Sequence, residues 1–253
     1  MSRLRGASLF TGIGGMDLGL ERAGIDSVLQ VERDKFCLSV LERRWPNVRR
    51  INDVKSVTGE DIAGAGIIHG GFPCQPVADQ GERRGQADVR WLWPEFYRII
   101  KEARPEYVII ENVPGLLKRG GIDVLRDLAK GGYNAEWTTL TARAFGAPSH
   151  RERVFFVAYP GGDRRILLEE LAGDHRYPGW IPAPPIHQWE DWRGWLAETM
   201  ADGDWDDSEA EVLGVDDGAT TRMDRARVKA CGNAVVPSMA EFIGRRIFEY
   251  ENG

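Results

Sequence analysis

Short apolar runs recur along the first 159 residues at intervals that leave room for a helix between them, and this spacing constrains the fold more than any other feature of the chain. The runs at 7–10, 27–31, 50–54, 67–69, 107–110, 137–141 and 154–158 read as strands, and 16–22, 36–44, 92–103 and 122–129 carry helical spacing. Gly24 and Gly131 stand just past two of those helices, where a left-handed residue is wanted. Such alternation predicts an α/β fold built on a parallel sheet. In that architecture a ligand lies beyond the C-terminal ends of the strands, so the residues just after each strand are the informative ones.

Five successive strand ends carry chemistry. The first is followed by Thr11-Gly12-Ile13-Gly14-Gly15, a turn that lets backbone approach a ligand closely, and the second by Glu32, while Asp53 lies within or just after the third. Gly71-Phe72-Pro73-Cys74-Gln75-Pro76 follows the fourth, and Glu111-Asn112-Val113-Pro114 the fifth. A cysteine between two prolines in a stiff loop suits core packing poorly and reads as a reactive thiol. A glycine turn with a ribose-binding acid and no phosphate-binding lysine points to a nucleoside cofactor without a pyrophosphate, and S-adenosylmethionine fits. A thiolate beside a methyl donor has one well-motivated use: adding to a ring carbon so that its neighbour becomes an enamine able to take the methyl group. C5 of cytosine is such a neighbour, and addition at C6 builds negative charge on N3, where an acid lowers the barrier. Glu111 is the candidate acid.

Composition removes several other classes. No stretch approaches 18 consecutive apolar residues, so no membrane span is expected, and the opening MSRLRGASLF lacks the apolar core of a secretory signal. A cytoplasmic chain is the expectation. Cys37, Cys74 and Cys231 are too few and too scattered for a disulfide framework or a four-ligand zinc site, so neither disulfide nor metal is expected. The net charge of −6 hides an asymmetry: residues 1–159 carry +3, residues 160–220 carry −11 and residues 221–253 carry +2. The acidic stretch, rich in Pro and Trp, reads as an insert, and Trp189, Trp192 and Trp195 at three-residue spacing read as one face of a short helix.

Together, Phe10-Thr11-Gly12-Ile13-Gly14-Gly15, Glu32, Asp53, Pro73-Cys74-Gln75-Pro76, Glu111-Asn112-Val113, Arg151-Glu152-Arg153 and Gly232-Asn233-Ala234-Val235-Val236-Pro237 resemble the DNA (cytosine-5) methyltransferases, in a compact, phage-like form. The match covers 4–159 and 219–248, in the family's order. The resemblance implies a class I methyltransferase fold, a Rossmann-like, doubly wound, mixed but mostly parallel sheet, with a catalytic domain of residues 1–159 plus 219–253, completed by a C-terminal helix near 238–250, and a small target-recognition region at 160–218. It implies S-adenosylmethionine held by Phe10, Gly12, Ile13, Gly14, Gly15, Glu32, Asp53, Val54, Gly71, Pro73, Leu92, Asn233, Ala234 and Val235. Cys74 becomes the nucleophile, Glu111 the group on N3, and Arg151 and Arg153 the stabilisers of the flipped base and of Glu111.

The partner implied is duplex DNA, bound by a monomer, with the target cytosine extruded into the pocket because no side chain reaches C6 inside a helix. Arg83 and Arg84 are the candidate phosphate contacts of the loop after Cys74. Gln80 replaces a small hydroxyl-bearing residue usual in that loop and is the candidate to fill the gap left by the base. Ser149 stands where a Gln commonly precedes the Arg-x-Arg pair. Two alternatives stay open: the same chemistry on a structured RNA such as tRNA, and a non-catalytic protein that kept the cofactor fold.

Overall fold

Strand β5 (Tyr107–Asn112) is buried along its whole length, and its alternation sorts the core. Val108 and Ile110 face one side of the sheet, with Phe96, Ile99, Val124 and Leu128. Tyr107 and Ile109 face the other, with Met16, Leu20, Met239, Ile243 and Ile247. A strand covered on both faces reads as a continuous apolar run, which is why YVII stood out in the sequence. The computed structural model describes residues 4–73, 91–147, 151–161, 230 and 234–252.

Around β5 lie β1 (Arg5–Leu9), β2 (Asp26–Val31), β3 (Arg49–Ile51), β4 (Ile67–Gly70), β6 (Tyr133–Thr141) and β7 (Glu152–Pro160). The order across the sheet is β3-β2-β1-β4-β5-β7-β6. The first five strands are parallel, whereas β7 runs antiparallel to both β5 and β6. The mixed, mostly parallel sheet expected from the sequence is therefore present, and the strand order reverses between β1 and β4, the place where such sheets bind ligands.

The helices are α1 (Gly15–Arg22), α2 (Lys35–Arg44), α3 (Trp93–Ala103), α4 (Gly115–Arg119), α5 (Gly121–Lys130) and α6 (Pro237–Asn252). Asp34 starts α2 by accepting from the backbone N–H of Phe36 at 2.9 Å and of Cys37 at 3.3 Å, and Arg43 and Arg44 sit at its negative end. Helix α6 lies against α1 so closely that Gly19 has no room for a Cβ beside the Pro237 carbonyl. None of the described helices is long and apolar enough to cross a membrane.

The structure corrects three local expectations. Gly24 is left-handed at φ 91°, as expected, but Gly131 is helical at φ −74°; α5 runs one residue further than its spacing suggested, and Gly132, at φ 83°, makes the turn. The third strand ends at Ile51, because Asp53 caps a 3-10 turn, Val54–Ser56, by accepting from the Lys55 N–H at 3.0 Å. Phe10 lies outside β1, at φ 56°. Cys37 is buried, and Cys74 and Cys231 lie outside the described residues, as does the whole of 162–229.

Candidate active site

The loop after β1 is built for close approach. Thr11 fastens it to β2: its hydroxyl donates to the Val31 carbonyl at 3.2 Å, and the Val31 N–H donates back to that hydroxyl at 3.1 Å. Gly14, at φ 86°, lies against Trp45, and a Cβ there would collide with the indole ring. Gly15 lies equally close to the Val235 carbonyl, so the segment entering α6 closes over the start of α1. The loop is thus fixed from both sides before any ligand arrives.

Glu32, at the end of β2, turns its carboxylate toward this loop. Its Oε2 accepts from the Gly12 N–H at 2.7 Å, and its Oε1 accepts from the N–H groups of Arg33 at 2.8 Å and Asp34 at 2.7 Å. A carboxylate has about four lone-pair sites, so one on Oε2 remains for a sugar hydroxyl. The cradle therefore fits a nucleoside. Asp53 is exposed beyond β3, half-buried Phe10 stacks at 6.3 Å on Phe96, and half-buried Leu92 precedes α3. Ile13 and Val54, by contrast, are core residues: Ile13 packs with Leu18, Leu41 and Trp45, and Val54 joins the cluster around Phe96. Only their backbone is in a position to meet a ligand. Ala234 is half-buried and Val235 buried beside α1; Asn233 lies outside the described residues.

At the end of β5 the alternation places two polar side chains on opposite faces. Glu111 is 7% exposed. It pairs with Phe155 of β7, so Arg153, two residues earlier on β7, is its diagonal neighbour on the same face. The Arg153 guanidinium reaches back to place Nε 2.7 Å from Glu111 Oε1. Burial pushes the Glu111 carboxyl above its ordinary range, and the charges of Arg153 and Arg151 pull it back only in part. A carboxyl in that setting holds a proton more readily than one in water, which suits it to donate one. Gly71, a cofactor candidate from the resemblance, turns its bare face to this acid: a Cβ there would lie 2.5 Å from Glu111 Oε2.

Asn112, 2% exposed, points the other way. Its Nδ2 donates to the Phe72 carbonyl at 3.2 Å and its Oδ1 accepts from the Val113 N–H at 2.9 Å. Phe72 sits among Trp91, Trp93 and Phe96, with ring centroids 5.2–6.5 Å away, and Pro73 follows it. Cys74, Gln80, Arg83 and Arg84 lie outside the described residues.

Two features escaped the sequence reading. Asp17, fully buried in α1, accepts from Ser8 Oγ at 2.9 Å, Ser27 Oγ at 2.9 Å and Gln30 Nε2 at 3.1 Å, tying the helix to β1 and β2. The signal available was a carboxylate on the apolar stripe of a helix between Met16, Leu18 and Leu20. Trp45, whose Nε1 donates to Glu21 at 2.6 Å, follows α2 with no signal to link it to Gly14.

The sequence pattern of the C-5 cytosine-specific DNA methylases matches residues 4–172. The Type II methyltransferase M.FnuDI of Fusobacterium nucleatum is 35% identical over 157 residues, 60% of this chain and 46% of the relative. M.NgoMIV of Neisseria gonorrhoeae is 37% identical over 152 residues, 58% and 49% of the two chains. The chain spans about half the length of these curated relatives. Among solved structures, a proposed DNA modification methyltransferase encoded within an E. coli prophage has a TM-score of 0.65 at 21% identity, covering 99% of this chain and 100% of that one. The Dnmt2 methyltransferase of S. pombe has a TM-score of 0.63 at 17% identity, covering 98% and 99%. The two structures share the fold described above.

Proposed function

This chain belongs to the C-5 cytosine-specific DNA methylase family, and we propose that it transfers a methyl group from S-adenosylmethionine to C5 of a cytosine flipped out of duplex DNA. The observation that carries this reading is the buried carboxyl of Glu111, on the strand next to the one that leads into Pro73 and Cys74, pushed up by burial and held by Arg153 of β7.

Cys74 Sγ, as the thiolate, adds to C6 and forms an S–C6 bond. The C5–C6 π pair becomes a C4–C5 bond, and the C4–N3 pair moves onto N3, which takes a proton from Glu111. S-adenosylmethionine, when bound, would supply the electrophilic methyl carbon that the C4–C5 π pair takes up at C5, the N3 pair returning to C4 and the S–CH3 pair staying on sulfur, which leaves as a thioether. Loss of the C5 proton to solvent and departure of Sγ then restore the C5–C6 double bond, and N3 returns its proton to Glu111. Arg153 and Arg151 hold the Glu111 carboxylate between these two transfers. The Glu32 carboxylate and the Phe10–Gly14 loop hold the nucleoside, with Asp53, Leu92, Asn233 and Ala234 around it. The scheme needs no metal and no second copy of the chain.

We assign target recognition to residues 160–218 and the phosphate contacts chiefly to Arg83 and Arg84, since that insert is strongly acidic. Bisulfite sequencing of DNA from cells expressing the protein tests the reading: 5-methylcytosine is expected at a defined set of sites. Unmodified DNA together with methylated tRNA would move the substrate to RNA, and neither product would refute the activity.

A further inference from the structure

Glu111 lies near the end of β5 and Cys74 follows β4 in the chain, and the chemistry proposed above requires them to meet one ring from fixed positions. Two contacts register the β4 end on the β5 end. Gly71 packs its bare face on the Glu111 carboxylate, and Asn112, with both of its amide atoms engaged, donates to the Phe72 carbonyl at 3.2 Å while accepting from the Val113 N–H at 2.9 Å. Phe72 is two residues before Cys74 in the chain, and its ring is locked among Trp91, Trp93 and Phe96.

We propose that Asn112 is a positioning residue of the reaction, a buried amide clip that holds the backbone leading into Cys74 in register with Glu111. This role rests on the reaction assigned above. The chemistry of the clip is specific. The Phe72 carbonyl requires a donor and the Val113 N–H requires an acceptor, and an amide of this length supplies both from one side chain. An aspartate keeps the acceptor and the shape but, when ionised, turns an acceptor toward the carbonyl. Once protonated it becomes a donor again.

The test uses the full chain, S-adenosylmethionine and a long random-sequence duplex with 5-fluorocytosine in place of cytosine, following covalent adduct formation between pH 6 and 8.5. Binding of S-adenosylmethionine is titrated in parallel. Displacing a reacting group by about an ångström costs on the order of 10²-fold. Asn112→Leu and Asn112→Asp are each expected to slow adduct formation by about 10- to 100-fold at pH 8, with cofactor affinity within about twofold of the parent. The rate of Asn112→Asp relative to the parent rises as pH falls, because its carboxyl regains a proton, whereas the Asn112→Leu ratio stays flat. Should Asn112→Leu not fold, the pH-dependent ratio of Asn112→Asp decides alone. A parent chain that forms the adduct while Asn112→Leu forms it equally fast overturns the clip and leaves the reaction standing, as does an Asn112→Asp ratio that stays low and independent of pH. A parent chain that forms no adduct overturns the reaction and the clip with it.

Discussion

The carboxylate beneath α1 and the carboxylate at the end of β5 are both buried, yet their surroundings fit them for different work. Asp17 receives three hydrogen bonds from neutral side chains of β1 and β2, a shell that engages both of its oxygens and fastens the helix to the sheet. Burial pushes the pKa of the nearby His69 down, against the pull of Asp17. Glu111 instead faces an arginine on one side and a bare glycine on the other, and burial outweighs the arginine charges and raises its pKa. Burial alone therefore does not distinguish an anchor from an acid. The hydrogen-bond donors do: Asp17 is held by three neutral donors, whereas Glu111 has a charged partner on one side and a glycine packed against the other, the setting of the acid proposed above.

The comparison can be broken by exchanging the properties of the two sites. Asp17→Ala removes hydrogen bonds to a charged group and strands buried donors, a loss of about 3 kcal/mol or more. For a chain of this size that lowers Tm by roughly 6 °C or more. Differential scanning calorimetry reads it, and methyl transfer below the transition should stay within a few-fold of the parent. Glu111→Gln should do the opposite. Its single-turnover rate is expected to fall about 10²-fold or more, because the contact strengthens only as charge builds on N3, with DNA binding nearly unchanged. An equal loss in binding at full turnover would place Glu111 among the anchors. A smaller effect, about tenfold, is expected for Gly71→Ala, whose new Cβ must displace the Glu111 carboxylate from its seat.

The smallest effect is on stability against pH. Glu111 has a folded pKa raised above its ordinary 4.5, so its contribution to stability is fully present below that value and is lost as pH rises through the folded pKa. Urea midpoints of the parent and Glu111→Gln, taken from pH 4 to 8, should therefore show the parent losing ground to the variant as pH rises. A parent that gains ground instead would mean that Arg153 outweighs burial.

Much of this arrangement was legible in the chain. The strand and helix periods located β1, β2, β4, β5 and β7 to within about two residues, because each carries a short, largely buried apolar stretch. A period of two carries no direction, however, so the antiparallel return of β7, which brings Arg153 back to Glu111, had to come from the family resemblance. Helix α4 was missed because five residues, Gly115–Arg119, are too few to show a period. The roles of Gly71, Asn112 and Asp17 were invisible for one reason. Each depends on a partner brought close by the sheet, Gly71 and Asn112 across 40 residues and Asp17 across 9 to 13. The sequence shows a motif's residues without showing what they touch.

The most direct test of the central claim is to map the covalent bond. The protein is incubated with S-adenosylmethionine and the 5-fluorocytosine duplex, digested, and the modified peptide sequenced by mass spectrometry. The nucleotide is expected on Cys74, carrying a methyl group at C5, and Cys74→Ser should give no adduct while still binding cofactor. An adduct on Cys37 or Cys231, or methyl transfer that survives in Cys74→Ser, would contradict it.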